Sequence, residues 1–255
     1  MKKLSLFLML LMPVLLCGCT ESPSGEATKK VQLIFLSENW PPMSYPDDGK
    51  PTGMAVDVTR AIANELGVQA DVKIQLWEDT YQTAIKTPNV VVTAMNRTPQ
   101  REDHFNWIQP PLKRYKEYFY KKRGSNITIN NFNDAKKYKI GTITDFAADQ
   151  QLKALGFENI ISYPTPEDAM SALVKGEVQL SIFGDFISEY IIKEIGYSVS
   201  DVLPVYKAFD RELYIVISKG TSAEVVSEWE QAFKVIRKNK TYYKIYEKWF
   251  LSHTL

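Results

Sequence analysis

Hydrophobic and polar positions along the chain follow two kinds of pattern. Short apolar runs such as Asn89–Met95 and Leu180–Phe183 are typical of buried strands, whereas the apolar positions of Met54–Leu66 recur at helical spacing. Strand-like and helix-like segments alternate in two sets, over residues 30–120 and 125–210, and two helices close the chain. This order predicts an α/β fold with mostly parallel strand pairing, arranged as two small lobes rather than one large sheet.

Turn and cap residues indicate where several elements begin or end. The Pro46–Gly49 stretch predicts a hairpin-like turn. Thr165-Pro166, followed by two acids, is a strong helix start with the threonine as its cap. After the Asn89–Met95 run, Thr98-Pro99 predicts that a short helix begins at once.

Arg97 and Arg101 flank this predicted helix start. In open α/β sheets, ligands bind outside the carboxyl ends of the strands. Free N–H groups at the start of a helix add a positive end to such a site. The pattern therefore predicts an anion site at this turn, and the alternative is a surface helix with solvated arginines.

The composition argues against several classes of function. The chain has 255 residues, 45% of them hydrophobic and 24% charged, with a formal net charge of +1. It can bury a core in one or two domains, but it offers no broad positive field for nucleic acid. The two histidines, His104 and His253, share no metal-binding spacing with a cysteine, and the glycines are scattered. We therefore expect no metal, no cofactor, no nucleic-acid partner and no enzymatic activity.

The N-terminal segment has the pattern of a targeting signal. Two lysines precede the apolar run Leu4–Leu16, which is too short to span a bilayer as a stable helix, and Cys19 follows a small residue. This arrangement resembles a bacterial lipoprotein cleavage box; the alternative is an ordinary secretory signal with incidental cysteines. We expect removal of residues 1–18, a lipid on Cys19 and a flexible tether over residues 19–30. The exported body would lie in the periplasm or at the cell surface, anchored to a bacterial membrane.

Four segments stand out by their order and spacing: PDDGKPTGMAVDVTRAIANELG, NRTPQREDHFNWIQPPL, GEVQLSIFGD and TYYKIYEKWF. Together they resemble the family 3 extracellular solute-binding proteins of ABC importers, over about Val31 to Phe250. The resemblance implies a type II periplasmic-binding-protein fold, in which two α/β lobes are joined by a two-segment hinge. Lobe 1 is expected over residues 31–120 and 217–255, and lobe 2 over residues 121–216.

The resemblance also implies a function. The chain would be the monomeric substrate-binding component of an ABC importer and would present its closed form to a permease. It would bind a small zwitterionic solute, most simply an amino acid, between two lobes that close on it. Two other classes stay open on the same scaffold. One is an enzyme such as a cyclohexadienyl dehydratase, with Glu38 or Asp145 as the acid. The other is a sensory domain with a separate signalling partner, because the chain ends at Leu255.

The same resemblance assigns roles to individual residues. Arg101, three residues after the threonine of the turn, would pair with the ligand α-carboxylate through two parallel N–H donors. Asp185, after the second-lobe strand, would receive the α-ammonium, or else cap the helix that follows. Trp40 would line the pocket with its aromatic face, or else pack in the core, and Trp77 is a further pocket candidate.

Two departures from the family pattern concern the ligand class. Where the family commonly has small hydroxyl residues before the arginine turn, this chain has Ala94 and Asn96. The usual glycine-threonine-threonine turn of the second lobe becomes Asp145-Phe146-Ala147, which inserts a ring and a carboxylate. Glu38, Asp145 and the aromatic residues would suit a cationic side chain, so the ligand need not be a standard α-amino acid. The candidate ligand-binding residues are Arg101, Asp185, Trp40, Asn96, Glu38, Trp77, Phe146 and Asp145.

Overall fold

The computed structural model describes residues 31–251, which contain eleven strands and seven α-helices. The predicted signal peptide, Cys19 and the tether lie outside the described residues, as does His253. The strands are β1 (Ile34–Glu38), β2 (Tyr45–Asp47), β3 (Lys50–Thr52), β4 (Val72–Gln75), β5 (Val90–Asn96), β6 (Phe105–Trp107), β7 (Lys113–Lys122), β8 (Ile140–Ile143), β9 (Ile160–Tyr163), β10 (Leu180–Gly184) and β11 (Val202–Ser218). The helices are α1 (Met54–Glu65), α2 (Trp77–Lys86), α3 (Ala147–Ala154), α4 (Pro166–Lys175), α5 (Ser188–Glu194), α6 (Ala223–Lys238) and α7 (Thr241–Phe250).

One sheet of nine strands runs through this range in the order β4-β1-β5-β11-β7-β10-β8-β9, with β6 beside β11. β1 pairs in parallel with β4 and β5, and β8 pairs in parallel with β9 and β10. We call the first group lobe 1 (β1–β6 with α1, α2, α6 and α7) and the second lobe 2 (β8–β10 with α3–α5). The two parallel groups fit the sequence prediction, but β7 and β11 join them by antiparallel pairing into a single continuous sheet.

β7 and β11 are the two segments that the lobes share. β11 pairs with β5 through Leu213–Ile217 and with β7 through Val202–Leu213. β7 in turn pairs with β10 through Glu117–Tyr120. Because both strands run from one lobe into the other, the sheet has no boundary at residue 121 or residue 216. Those lobe limits stay a prediction.

Two turn signals of the sequence are confirmed. β2 and β3 form a hairpin around Asp48 and Gly49, whose φ angles of 47° and 74° suit an Asp-Gly turn. At the start of α4, the hydroxyl of Thr165 accepts a hydrogen bond from the Asp168 N–H at 3.1 Å, and Pro166 occupies the first turn.

The segment after β5 differs from the prediction. A helix beginning at Thr98 is expected, but the structure has turns there and a short 3-10 helix at Glu102–His104. The Arg97 N–H still donates to the Glu212 carbonyl of β11, and β6 pairs with β11 from Phe105 onward. The few residues between these two paired segments cannot form a longer helix.

Helices cover both faces of the lobe 1 sheet. α6 buries Trp229, Phe233 and Ile236 in the core that it shares with α1, as their helical spacing predicts. On the opposite face, α2 buries Trp77 and Ala84 against side chains of β5 and β11. Because α2 directly follows the parallel strand β4, it starts at the carboxyl end of the lobe 1 strands, where a ligand site is expected.

Within residues 31–251, no helix combines the length and apolar character needed to cross a membrane. The same residues contain no group of three or more His, Cys, Asp or Glu side chains arranged to hold a metal ion.

Candidate functional site

A small cavity lies at the carboxyl ends of β1 and β5, between lobe 1 and the start of α3 in lobe 2. The space in it that the centre of a water molecule can reach is about 10 Å³, which is room for about one water in this conformation. Its lining residues are Glu38, Trp40, Trp77, Ala94, Met95, Asn96, Arg101, Phe146 and Ala147. The structure thus brings together six of the eight candidate residues. Asp145 lies next to the lining in sequence, and Asp185 does not line the cavity.

Arg101 is the buried cation of this cavity, with only 1% of its surface exposed. Its Nη2 donates to the Asp145 carbonyl at 2.8 Å, and its Nε donates to Gln150 Oε1 at 3.2 Å. The guanidinium lies over the rings of Trp77 and Tyr81, at 4.9 and 5.2 Å from their centroids. Burial lowers the pKa of Arg101 to about 10, so the guanidinium is still protonated at neutral pH.

Glu38 is the buried acid of the same cavity, with 8% of its surface exposed. Among residues 31–251, no group donates a hydrogen bond to its carboxyl oxygens, and Arg101 is the charged group that acts on it. Burial raises the pKa of Glu38 to about 8, and the positive charge of Arg101 opposes this rise only in part. Glu38 therefore faces the cavity as a buried acid without a protein partner for its carboxyl group.

Three aromatic rings from both lobes enclose the rest of the cavity. Trp40 and Trp77 come from lobe 1, and Phe146 reaches between them from lobe 2, with ring centroids 6.3 and 6.0 Å away. Both pairs meet edge to face, a favourable aromatic geometry. Trp40 also packs in the main hydrophobic core, so its two predicted environments are both present.

The β8–α3 loop, Thr144–Phe146, presents Phe146 to lobe 1. Asp145 has a left-handed conformation with φ of 59°, which places a non-glycine residue where glycine is the less strained choice. The Asp145 N–H donates to the Asp149 carboxylate at 3.3 Å. Asp149 is buried and also accepts from the Thr142 and Ser162 hydroxyls, each at 2.6 Å. These bonds fix the loop to lobe 2, with the Asp145 carbonyl directed toward lobe 1.

A buried polar network behind the cavity was not found from the sequence. The Tyr115 hydroxyl donates to Asn96 Oδ1 at 2.8 Å and lies 3.4 Å from Glu117 Oε1. Arg211 Nε donates to Glu117 Oε2 at 2.6 Å, and the same guanidinium bonds to Gln151 of α3. The network therefore links the cavity residue Asn96 to both shared strands and to lobe 2.

One sequence signal could have located part of this network. Tyr115, Glu117 and Phe119 occupy alternate positions of β7, so they share one face of the strand, and all three are buried. An acid between two aromatic residues on a buried face points to a buried charge. The many exposed charges around it in Lys113–Arg123 hide this pattern.

Asp185 and Arg97 both lie away from the cavity. Asp185 is exposed, and its Oδ2 accepts from the Lys116 N–H at 3.4 Å. Its alternative role as a helix cap is wrong, because α5 begins at Ser188 without a side-chain cap. Arg97 pairs with Glu102, and its guanidinium lies 5.5 Å from the centroid of the Trp107 ring.

Comparison with known proteins gives the family. Residues 33–252 match the profile of the bacterial extracellular solute-binding proteins, family 3. The L-cystine-binding protein TcyJ of Escherichia coli K12 is 23% identical over 222 residues, which cover 86% of this chain and 82% of that protein. The L-arginine-binding protein of Pseudomonas aeruginosa is 25% identical over 265 residues, with 98% and 97% coverage.

The fold is also that of solved structures. A histidine kinase sensor domain with similarity to periplasmic binding proteins superposes with a TM-score of 0.78 at 22% identity, over 86% of this chain and 96% of that one. The two lobes, the shared strands β7 and β11 and the cavity between the lobes form the type II periplasmic-binding fold. The chain belongs to the bacterial extracellular solute-binding proteins, family 3.

Proposed function

We propose that this chain is the substrate-binding component of an ABC importer and that it binds an amino acid in the cavity of Arg101 and Glu38. The relatives named above carry L-cystine and L-arginine as their ligands. An amino acid has a carboxylate and an ammonium group, and this cavity offers one buried cation and one buried acid. The ligand carboxylate would face the charge of Arg101, and the ligand cation would replace the proton that Glu38 mostly holds at neutral pH, because its pKa is raised to about 8.

The observation that carries this proposal is the state of the Glu38 carboxyl group. An ionisable group that is buried without a partner is costly to keep in a fold, and such groups concentrate at functional sites. Glu38 lines the cavity at 8% exposure, and the described residues donate no hydrogen bond to its carboxyl group. A cationic group of the ligand, its ammonium or its side chain, is the partner that Glu38 lacks.

Arg101 and the start of α3 form the complementary end of the site. A guanidinium offers two parallel donors to a carboxylate, and the first turn of a helix adds free N–H groups with a positive dipole end. Ala147, the first residue of α3, lines the same cavity. Trp40 and Trp77 would cover the aliphatic or cationic part of the side chain. The site therefore suits a zwitterion whose side chain is cationic or long and polar.

Titration calorimetry with L-arginine, L-glutamine and L-cystine tests the role of Arg101. We expect at least one of these to bind, and we expect Arg101→Ala to weaken that binding by roughly 2–5 kcal/mol, the usual loss on truncating one partner of a buried charge pair. Arg97→Ala is the matched control, because Arg97 pairs with Glu102 outside the cavity. Equal affinity of the Arg101→Ala variant and the unmodified protein would exclude a carboxylate at Arg101.

A second comparison asks which acid receives the ligand cation. We propose Glu38, whereas the family resemblance assigns the α-ammonium to Asp185. Glu38→Gln and Asp185→Ala should be measured with the bound amino acid and with its des-amino analogue. We expect Glu38→Gln to lower affinity at least tenfold, the loss of one charge-assisted hydrogen bond. A large loss in Asp185→Ala that is absent for the des-amino analogue would instead place the ammonium at Asp185.

The same Glu38 observation favours one enzymatic alternative. A buried acid with a pKa near 8 is protonated at neutral pH and can act as a general acid. A cyclohexadienyl-dehydratase-like activity would use it in that way. If the purified protein turned over prephenate, and if Glu38→Gln abolished that turnover, the enzymatic function would be favoured over the transport function. A sensory role is the remaining alternative, in line with the fold of the histidine kinase sensor domain.

We also propose that the exported chain begins at Cys19 and carries a lipid there. The apolar run Leu4–Leu16 and the small residue before Cys19 support this anchor. A lipid would hold the solute-binding body close to a permease in the same membrane, with residues 20–30 as the spacer.

A further inference from the structure

The β8–α3 loop of lobe 2 contacts the same lobe 1 residues that are proposed to bind the ligand. The Asp145 carbonyl accepts from Arg101 Nη2 at 2.8 Å and from Trp77 Nε1 at 3.0 Å. Gln150, one turn into α3, accepts from Arg101 Nε at 3.2 Å. The buried guanidinium therefore has two acceptors from lobe 2.

The ring of the same loop fills the aromatic part of the cavity. Phe146 stands edge-on to Trp40 and Trp77, with interplanar angles of 77° and 74°. Phe146 thus fills the space between the two tryptophans that a ligand side chain would enter. In this short loop, the Asp145 carbonyl thus contacts the Arg101 guanidinium and the Phe146 ring contacts the two tryptophans. These are the lobe 1 groups that are proposed to bind the ligand.

The loop is held in this position from behind. Asp149 accepts from the Asp145 N–H, from two hydroxyls and from Lys153 Nζ at 2.8 Å, all from lobe 2. The left-handed conformation of Asp145 directs its N–H into lobe 2 and leaves its carbonyl toward Arg101. The loop is thus fixed to lobe 2 and moves with it.

We propose that the β8–α3 loop is an internal competitor of the ligand and sets the specificity of the site. The inference rests on the proposed function, because it assigns to the loop the contacts proposed for the ligand. The apparent affinity of a ligand is its intrinsic affinity multiplied by the fraction of molecules in which the loop has withdrawn. Only a ligand that replaces both the carbonyl on Arg101 and the ring between the tryptophans displaces the loop efficiently. Compounds with a carboxylate alone, or a side chain alone, are rejected.

Phe146→Ala in the full chain separates a competitor from a ligand contact, because the two roles predict opposite signs. A loop that occupies the cavity about nine-tenths of the time lowers the affinity about tenfold. We therefore expect Phe146→Ala to bind L-arginine, the named ligand of one relative, about tenfold more tightly in titration calorimetry, and to accept smaller amino acids. Equal or weaker binding overturns the proposal. Phe132→Ala removes the same ring from the lobe 2 core, away from the cavity, and should leave the affinity unchanged.

A measurement without any ligand distinguishes a failure of this inference from a failure of the proposed function. The loop joins the lobes, so Phe146→Ala and Gln150→Ala should both increase the radius of gyration measured by small-angle X-ray scattering. Phe132→Ala should not. An unchanged radius in both loop variants overturns the proposal. If the unmodified protein binds no amino acid, the proposed function fails and the scattering result still decides whether the loop holds the lobes together.

Discussion

Burial acts in opposite directions on the two charges of the cavity. It raises the pKa of Glu38 to about 8 and lowers the pKa of Arg101 to about 10, since in each case the low-polarity surroundings disfavour the charged form. At neutral pH, Arg101 is charged and Glu38 is mostly protonated. A cation placed next to Glu38 would lower its pKa and release its proton. Releasing this proton costs less free energy as the pH rises toward 8, so a cationic ligand should bind more tightly there.

The raised pKa of Glu38 also makes the stability of the fold depend on pH. The folded protein holds this proton more tightly than the unfolded chain, whose ordinary pKa is 4.5. The pH-dependent cost of Glu38 is therefore absent below pH 4.5 and grows as the pH rises toward about 8, up to roughly 5 kcal/mol at 1.36 kcal/mol per pKa unit.

Urea unfolding between pH 4.5 and 8 measures this cost. We expect Glu38→Gln, which is neutral throughout, to be similar to the unmodified protein at the acidic end and more stable by several kcal/mol at the alkaline end. Glu65→Gln neutralises an exposed acid of α1 and serves as the control. A constant difference between Glu38→Gln and the unmodified protein across this pH range would contradict a buried, unpaired Glu38.

The sequence was informative at the residue level where a local pattern marked a residue. Arg101 was marked by its place after a buried strand, whereas Trp40 and Glu38 were named through the family resemblance, and the structure brings all three to one cavity. Glu117 and Arg211 were missed, because they lie far apart in the sequence and become partners only when β7 pairs with β11. No local pattern carries that information.

At the level of elements, the caps and turns follow from the local sequence. Thr165 caps α4 through its hydroxyl, and we expect Thr165→Ala to lower the free energy of unfolding by about 1 kcal/mol. Thr128→Ala, at an exposed position outside every helix and strand, should have almost no effect. Equal losses in the two variants, measured by urea unfolding, would show that the cap contributes nothing.

Element lengths that depend on distant partners were predicted less well. By itself the sequence predicts a strand over the apolar run Leu213–Ser218, whereas the structure extends that strand over Val202–Ser218. The added part, Val202–Glu212, is mostly half-exposed, and its apolar residues are interrupted by proline and charged residues, so it lacks the continuous apolar run that marks a buried strand. It is a strand because β7 supplies its hydrogen-bond partners.

At the scale of the whole molecule, the two shared strands carry the buried ion pair of Glu117 and Arg211. Both residues are buried, with side chains that are 3% (Arg211) and 10% (Glu117) exposed, so neutralising one leaves the other without an opposite charge in the interior. We expect Glu117→Gln to cost about 3–5 kcal/mol of unfolding free energy and the double variant Glu117→Gln/Arg211→Met to recover most of it.

The control for this cycle is an ion pair at the surface. Lys193 and Glu189 are paired in α5 with both side chains more than 60% exposed, and Glu189→Gln should change stability by less than about 1 kcal/mol. A loss in Glu117→Gln no larger than that would mean that water reaches the Glu117–Arg211 pair.

The continuity of the sheet also governs the order in which the chain can assemble. β7–β10 and α3–α5 are consecutive in the sequence, so lobe 2 can begin to pair its strands while the C-terminal residues are still emerging. Lobe 1 can pair β1 with β4 and β5 early but is completed late, because the second edge of β5 and the strand β6 pair with β11, and α1 packs against α6 and α7. A chain that stalls before β11 would therefore expose the unfinished edge of β5, which could pair with a strand of another molecule.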